Sequence, residues 1–343
     1  MPRQRSRKGA PGILEVAKRA GVSPATVSRY FNDPEIVKSP TRKRIKDAAH
    51  DLGYIRDRMA SAMHNHFSGT IGLVVPTIDN AIFSELIQAF SAKLREYDRT
   101  MLIATHNYNL QDEVSIIRSL LERRIDAVAM IGLDHERPPL EMLASRGVPV
   151  LAAWNYRADS AISCIGADNV KAGFQVGRYL VENGHEDIAL VFPPIDNNDR
   201  AYDRFNGVLS ALKQSPSTFP SHRKITSLYD IGTAKAAVAK LLSQNRPTAL
   251  ICGNDIIAQG ALFACQMLGL RVPHDISVIG IGDFRGSAHM EPGLTTLRLP
   301  AKRIGELAAE KLCAKVDFGV ESQIERIEIE AELIERGSVR KLK

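Results

Sequence analysis

The 343-residue sequence contains no apolar run near the roughly 18 residues that a membrane-spanning helix needs. Its N-terminus, MPRQRSRKGAPG, is basic, but no apolar segment follows the charges, so it does not resemble a secretory signal. Cysteine is scarce: Cys164, Cys252, Cys265 and Cys313 form no CxxC pair. These absences argue against membrane and secreted proteins, and they predict buried free thiols in a cytoplasmic protein.

Motifs of common enzyme classes are also missing. No G-x-G-x-x-G follows a strand-like segment, and there is no P-loop, G-x-S-x-G or H-E-x-x-H motif. No candidate nucleophile is paired with a base. We therefore expect no catalytic residues, no cofactor and no metal site, although an enzyme remains the alternative class because doubly wound folds host many enzymes.

Positive charge is concentrated at the N-terminal end. Residues 1–67 carry 14 Lys and Arg against 6 Asp and Glu, whereas the rest of the chain carries 31 basic and 33 acidic residues. Such asymmetry predicts an anionic partner, either nucleic acid or a membrane surface. Residues 14–30 lack the large apolar face of a membrane-surface helix, so nucleic acid is the better interpretation.

The segment VAKRAGVSPATVSR, residues 16–29, predicts two short helices joined by a tight turn. Gly21 suits the end of the first helix, and Ser23 followed by Pro24 suits the start of the second. A second Ser-Pro pair at 39–40 opens a third helix that Gly53 ends. Three short helices in about 45 residues are typical of a small DNA-binding headpiece.

Beyond residue 70, apolar strand-like runs alternate with amphipathic helical segments. TIGLVVP, TMLIAT, DAVAMIG and GVPVLAA form one series, and DIALVF, TALICG and ISVIGIGD form another. Runs of this kind predict parallel strands buried on both faces. Two series predict two doubly wound parallel-sheet subdomains, with the ligand site in the cleft between them.

These segments together resemble the lac repressor (LacI-type) family of bacterial transcription regulators. The likeness runs through EVAKRAGVSPATVSRYFNDP, IGLVVPTIDNAIFSEL, RFNGVLSAL, PTALICGNDIIAQGAL and LGLRVPHDISVIGIGD, in order and over nearly the whole chain. VPTIDNAIF and CQMLGLRVPHD are most similar to repressors of gluconate utilisation. The resemblance implies a homodimer that binds a pseudo-palindromic operator, and a core like a periplasmic sugar-binding protein that holds a small effector.

The resemblance also implies a domain plan: a headpiece at 1–57, a hinge helix at 58–69, and an effector-binding and dimerisation core at 70–343. In a helix-turn-helix, the second helix enters the major groove. We therefore expect DNA contacts from Ser23, Pro24, Ala25, Thr26, Ser28 and Arg29, with Val27 turned into the headpiece core. Arg29 is the candidate for bidentate readout of guanine.

Further DNA contacts are expected outside the second helix. Lys18, Arg42 and Lys43 either reach phosphate or form an ordinary solvated face. Gly12 stands where the family usually has a capping threonine. In the hinge helix, Met63 occupies the position of the leucine that the family inserts between base steps, and Ala60 would let two hinge helices approach closely.

Carrying the family pattern onto this chain predicts the effector-binding residues Asn80, Phe83, Trp154, Asn155, Arg204, Asn254 and Asp283. Alternative roles remain open: Trp154 as core, Asn254 as a helix N-cap, Asp283 as a loop residue and Arg204 as a surface ion pair.

The charge pattern of the cleft suggests the class of effector. Segment 152–155, AAWN, and Gly282 both lack carboxylates that relatives often carry, and we expect Arg200, Arg204 and Arg285 near the cleft. We therefore hypothesise an anionic effector such as a sugar acid, acting as an inducer. A transport-type binding protein is a further alternative, but the headpiece argues against it.

Overall fold

The computed structural model describes residues 11–56, 67–214, 223–319 and 323–342. The chain divides into two compact units, one ending at Ser68 and the other beginning at Gly69. Within the described ranges, no helix combines the length and the apolar character needed to cross a bilayer.

The described part of the N-terminal unit, residues 11–56 and 67–68, contains three α-helices: α1 (Ile13–Ala20), α2 (Pro24–Asn32) and α3 (Ser39–Leu52). Gly21 and Gly53 end α1 and α3 in the left-handed conformation, with φ of 63° and 61°. The Ser23 hydroxyl caps α2 by accepting a hydrogen bond from the Thr26 amide at 3.1 Å. The second Ser-Pro pair acts differently, because Lys38 is the N-cap of α3 and Ser39 is its first helical residue.

None of these helices is long enough to be stable alone, so their shared core must hold them. That core consists of buried Val16, Ala17, Ala20, Val27, Val37, Ile45, Ala48 and Ala49. The rings of Tyr30, Phe31 and Tyr54 extend it, with centroids 5.0 and 5.5 Å apart. The prediction that Val27 faces inward is confirmed, since it is fully buried.

The second unit contains two six-stranded sheets flanked by helices. The strands are β1 (Thr70–Val75), β2 (Thr100–Thr105), β3 (Ala127–Ile131), β4 (Val150–Asn155), β5 (Cys164–Ala167), β6 (Ile188–Phe192), β7 (Lys224–Thr226), β8 (Ala249–Cys252), β9 (Ser277–Gly282), β10 (Thr295–Arg298), β11 (Arg326–Glu328) and β12 (Glu332–Ile334). The helices are α4 (Ala81–Glu96), α5 (Glu113–Glu122), α6 (Arg137–Ser145), α7 (Asn169–Glu182), α8 (Asp199–Lys213), α9 (Ile231–Gln244), α10 (Asp255–Met267) and α11 (Ala301–Phe318).

The two sheets define two subdomains. The first sheet has the order β11-β5-β4-β3-β1-β2, and the second has the order β12-β10-β9-β8-β6-β7. The chain passes between the sheets after β5, after β10 and after β11. Each subdomain is doubly wound, as predicted, and three connections join them as they would across a hinged cleft.

The sequence patterns missed the shorter strands. β5, β7, β10, β11 and β12 have three or four residues each, too few for a clear apolar run. β12 also runs antiparallel to β10, so the second sheet is not wholly parallel. All four cysteines are free and buried, which confirms the prediction for the thiols.

Candidate functional site

The predicted DNA-reading face of α2 is a solvent-facing surface. Pro24, Ala25 and Arg29 are exposed, and Thr26 and Ser28 are half-buried. Within the described headpiece, the Arg29 guanidinium has no hydrogen-bond or salt-bridge partner. The Ser23 and Thr26 hydroxyls lie 2.8 Å apart and so support the start of α2 as well as facing solvent. The arrangement leaves a free guanidinium on a rigid, capped helix.

The three basic residues predicted to contact DNA from outside α2 fall into two groups. Lys18 and Lys43 are exposed. Arg42 instead forms an ion pair with Glu35. Gly12 provides no side chain, but its amide donates to the Glu15 carboxylate at 2.9 Å, which partly replaces the missing cap. Ala60 and Met63, predicted for the hinge, lie outside the described residues.

The predicted effector residues lie in the second unit and are nearly all inaccessible. Asn80, Phe83, Trp154, Asn155, Arg204 and Asn254 are buried, and the Asp283 side chain is only 7% exposed. Phe83 packs edge-on against Trp154, with ring centroids 5.3 Å apart. The cleft is therefore closed around these residues, and an effector would need it to open.

A hydrogen-bonded chain crosses the cleft through Asn155. Its amide nitrogen donates to Asp199 at 3.0 Å and to Asp203 at 3.2 Å. Its oxygen accepts from Asn169 at 2.8 Å, and Asn169 in turn accepts from the Arg204 Nε at 2.8 Å. Asn155 ends β4 of the first subdomain, whereas its partners belong to the second, so this chain couples the subdomains.

Asp199 and Arg200 form a second bridge across the cleft. The Asp199 carboxylate accepts from the Leu133 amide at 2.6 Å, and Arg200 donates to the Ile131 carbonyl at 3.2 Å. The two side chains also pair with each other at 2.6 Å. Burial alone would raise the pKa of Asp199, but Arg200, the Leu133 amide and Asn155 together lower it. The charge of Arg200 is therefore already neutralised.

Arg204 differs from Arg200 in its partners. Its Nε donates to Asn169 and its Nη1 donates to the Gly253 carbonyl at 3.0 Å, and both acceptors are neutral. Within the described residues, this guanidinium forms no salt bridge, and its Nη2 has no hydrogen-bond partner. The residue is 2% exposed. A buried arginine remains charged and costs free energy unless a partner compensates it, so this position is suited to bind an anion.

Asn254 lies two residues after the end of β8 and directly follows Gly253, whose carbonyl accepts from Arg204. It is the N-cap of α10, as the alternative interpretation held: its side-chain oxygen accepts from the Ile257 amide at 2.9 Å. That bond fixes the orientation of the amide, and the Nδ2 is left buried without a partner. Arg204 and Asn254, hereafter the inner pole, thus offer donors only, as expected of a site for an acid group or hydroxyls.

Trp154 and Asp283 meet elsewhere, at a lateral cavity of about 430 Å³. Trp154 is 1% exposed, and its φ of 85° is uncommon for a bulky residue. Asp283 pairs with Arg298 and Arg336, both at 2.7 Å, so its charge is already compensated. Arg285 also lines this cavity and is exposed. The three arginines near the cleft therefore occupy three different environments.

A further cavity, the outer chamber, has a volume of about 410 Å³ and lies where strands of both subdomains end. Among the predicted effector residues, Asn80 lines it. Its walls also include Asn107, Tyr108, Asp196, Asn198 and Tyr229, which the sequence analysis missed. Tyr108 and Asn107 follow β2, and Tyr229 follows β7, so the rule that ligands bind beyond the carboxyl ends of strands could have found them.

Each of the two units matches a known protein family. Residues 12–57 match the family of bacterial regulatory proteins, lacI family, and residues 68–337 match the periplasmic binding proteins and sugar binding domain of the LacI family. The HTH-type transcriptional repressor PurR of Salmonella paratyphi A is 32% identical over 332 residues, which cover 95% of this chain and 96% of PurR.

Two solved structures show the same architecture. The transcription regulator GntR from Chromobacterium violaceum is 26% identical, with a TM-score of 0.74 over 78% of this chain and 98% of GntR. The lac repressor dimer bound to operator and the anti-inducer ONPF is 22% identical and shares the fold, with a TM-score of 0.84 over 96% of this chain and 99% of that one. The chain belongs to the LacI family of bacterial transcription regulators, with a helix-turn-helix headpiece and a core of the periplasmic-binding-protein type.

Proposed function

We propose that the protein is a repressor that binds a pseudo-palindromic operator as a homodimer and is released by a small sugar acid bound in its core. The observation that carries the DNA-binding part is the exposed face of α2, where the Arg29 guanidinium is free and the helix is capped. A guanidinium at a base edge can bind guanine bidentately. Dimer symmetry would place two such helices at two half-sites of the operator.

A substitution at Arg29 tests this role. Arg29→Ala should weaken operator binding by about 1–3 kcal/mol and relax the preference at one base pair of each half-site. Arg19→Ala is the matched control, because Arg19 is an exposed arginine of α1 that pairs with Asp51, whereas Arg29 has no such partner within the described headpiece. Fluorescence anisotropy on operator and on single-base variants measures both effects. Equal losses for the two variants would contradict the readout role of Arg29.

We assign residues 1–57 to the headpiece, 58–69 to the hinge and 70–343 to the core, with Ala60 and Met63 acting at the operator centre. Exposed apolar side chains on and just after α10, Phe263, Met267 and Leu268, support a dimer because such surface favours association. Cytoplasmic location follows from the DNA target and agrees with the free, buried thiols.

The inner pole supports the acidic effector. Arg204 is a buried cation with neutral partners, and the Nδ2 of Asn254, the residue after the Gly253 carbonyl that Arg204 contacts, also needs an acceptor. A carboxylate would satisfy both, whereas a neutral hydroxyl would leave the charge uncompensated. Arg200 does not contribute to this argument, because Asp199 already pairs with it.

A pair of ligands with the same carbon skeleton tests the acid class. Gluconate should raise the melting temperature of the full-length protein, and glucitol, which has a hydroxyl in place of the acid group, should not. Arg204→Lys keeps the charge but loses the guanidinium fork, so it should weaken gluconate binding. Arg285→Ala serves as control for a nearby exposed arginine. Stabilisation by neutral sugars with none by any sugar acid would overturn the acid class.

Release of DNA would follow from linkage between the two sites. The effector can shift operator affinity only by its difference in affinity between the DNA-binding and released states. The bridges through Asn155 and Asp199 join the subdomains, so effector binding that rearranges them would change the placement of the first subdomain. An enzyme with the same core is the competing function. Conversion of a sugar acid by the purified protein would favour it.

A further inference from the structure

The chain that follows α3 folds back onto the end of α2. Gly53 ends α3 in the left-handed conformation, and the Tyr54 amide then donates to the Ala49 carbonyl at 2.8 Å. This turn brings the Tyr54 ring against Phe31 of α2, with centroids 5.5 Å apart. Arg56 reaches the same end of α2 across a sequence separation of 25 residues. The last described residues of the headpiece therefore lie against the C-terminal end of α2.

The Arg56 guanidinium binds two acceptors there. Its Nη1 donates to the Phe31 carbonyl, and its Nη2 donates to the side-chain oxygen of Asn32. Carbonyls in the last turn of a helix lack intrahelical partners and carry the negative end of the helix dipole, so a cation is favourable at this place. Because each acceptor meets a different nitrogen, the contact depends on the planar fork that arginine has and lysine lacks.

The exposures of the last two residues of this segment are opposite to their chemical character. Ile55 is 88% exposed, whereas Arg56 is half-buried. Isoleucine is among the residues most often buried, and arginine is mostly exposed. Hydrophobic burial therefore does not set the direction of the segment. The Tyr54 ring and the two Arg56 hydrogen bonds hold it instead.

The direction in which the chain leaves the headpiece matters for operator binding. Helix α2 carries Arg29, and the residues after Arg56 lead to the proposed hinge at 58–69. On a two-fold operator, the two copies of α2 must meet half-sites at a fixed spacing. One added base pair moves a half-site by about 3.4 Å and turns it by roughly 35° about the DNA axis. A headpiece whose exit is held firmly cannot follow that shift.

We propose that Arg56 is a positioning residue, which fixes α2 relative to the departing chain and so makes the protein selective for one half-site spacing. The inference rests on the proposed function, in which a homodimer binds a two-fold operator. In this role Arg56 acts through Phe31 and Asn32 of α2, not by contact with a base. It adds selectivity for spacing to the base selectivity assigned to Arg29.

Fluorescence anisotropy of the full-length protein tests the inference. The probes are palindromic DNA from near its own gene and versions with one base pair inserted or removed at the centre. The wild type should prefer one spacing. Arg56→Ala should reduce that preference about tenfold, as expected for the loss of one charge-assisted hydrogen bond. Arg56→Lys keeps the charge but loses the fork, so it should reduce the preference at least about threefold.

Two controls separate positioning from charge and from folding. Arg19→Ala removes an exposed arginine of α1 that pairs with Asp51, and it should keep the spacing preference of the wild type. Both Arg56 variants should also keep the wild-type preference at the base pair assigned to Arg29, because α2 stays folded. Loss of that base preference together with the spacing preference would identify a role in headpiece folding and overturn the positioning role.

The remaining outcomes separate this inference from the proposed function. Equal weakening of Arg56→Ala on every spacing, with Arg56→Lys unaffected, would identify a phosphate contact and overturn the positioning role. An unchanged spacing preference in both variants would overturn it and leave operator binding standing. A wild-type protein that binds the palindrome no better than unrelated DNA would overturn the proposed function, and this inference with it.

Discussion

Replacing Gly207 by alanine perturbs the close packing of α7 and α8 that positions Arg204. A Cβ at Gly207 would lie 2.0 Å from the Val170 carbonyl oxygen, and one at Gly173 would lie 1.9 Å from the Arg204 carbonyl oxygen. Ordinary contact begins near 3.4 Å, so the two backbones would have to separate by about 1.4 Å. Flexible side chains cannot absorb this, because the atoms met are backbone.

The expected loss of stability follows from two opposing effects. Alanine in place of glycine inside a helix stabilises by roughly 0.5–1 kcal/mol. Overpacking of this kind costs about 1–3 kcal/mol, and a backbone contact lies at the upper end. We therefore expect Gly207→Ala to lower the free energy of unfolding by about 1–2 kcal/mol. Because Arg204 lies one helical turn before Gly207, gluconate affinity should fall as well.

Urea unfolding monitored by tryptophan fluorescence measures this loss. Trp154 is the single tryptophan and is buried in the core, so its emission reports unfolding of the core. Gly232→Ala in α9 is the matched control, since a Cβ there meets only the Asp230 carboxylate at 3.3 Å. The control should be neutral or slightly stabilised. A Gly207→Ala midpoint equal to that of the control would refute the packing argument.

Two further predictions concern buried polar groups. Asp255→Ala should lower the free energy of unfolding by at least about 2 kcal/mol, measured by urea unfolding. Three donors, including the Thr296 hydroxyl at 2.6 Å, would lose their acceptor. A loss below about 0.5 kcal/mol, which is typical of surface substitutions, would contradict this prediction. Burial lowers the pKa of His185 and of His106, so the unfolded chain binds more protons below about pH 6.5, the usual histidine value. Stability should therefore be nearly constant from pH 7.5 to about 6.5 and fall as the pH drops further to 5.5, and His185→Gln should reduce the dependence; an unchanged urea midpoint between pH 7.5 and 5.5 would refute it.

The sequence predicted the headpiece well because its signals are local. Ser23 and Pro24 mark a helix start through one cap and one fixed dihedral angle, and Gly21 marks an end through its left-handed conformation. The long apolar strands were likewise recognisable. The three-residue strands β11 and β12 were not, because their pairing depends on residues far away in the chain.

The roles of the charged side chains in the cleft could not be predicted from the sequence. The sequence indicated that Arg200 and Arg204 are similar cations near the cleft. The structure shows that Asp199 neutralises Arg200 and that Arg204 has neutral partners. That distinction depends on tertiary contacts. The pairing of Tyr108 with Tyr229 likewise joins loops from two subdomains, which no local pattern encodes.

A fluorescence anisotropy titration of the full-length protein on palindromic DNA from near its own gene tests operator binding and its control by an acid together. We expect tight, sequence-preferring binding whose affinity falls steeply with salt, as phosphate contacts require, and which a sugar acid reverses. Binding that is equally weak on operator and unrelated DNA would contradict it. Tight operator binding that no sugar acid changes would contradict control by an acidic effector.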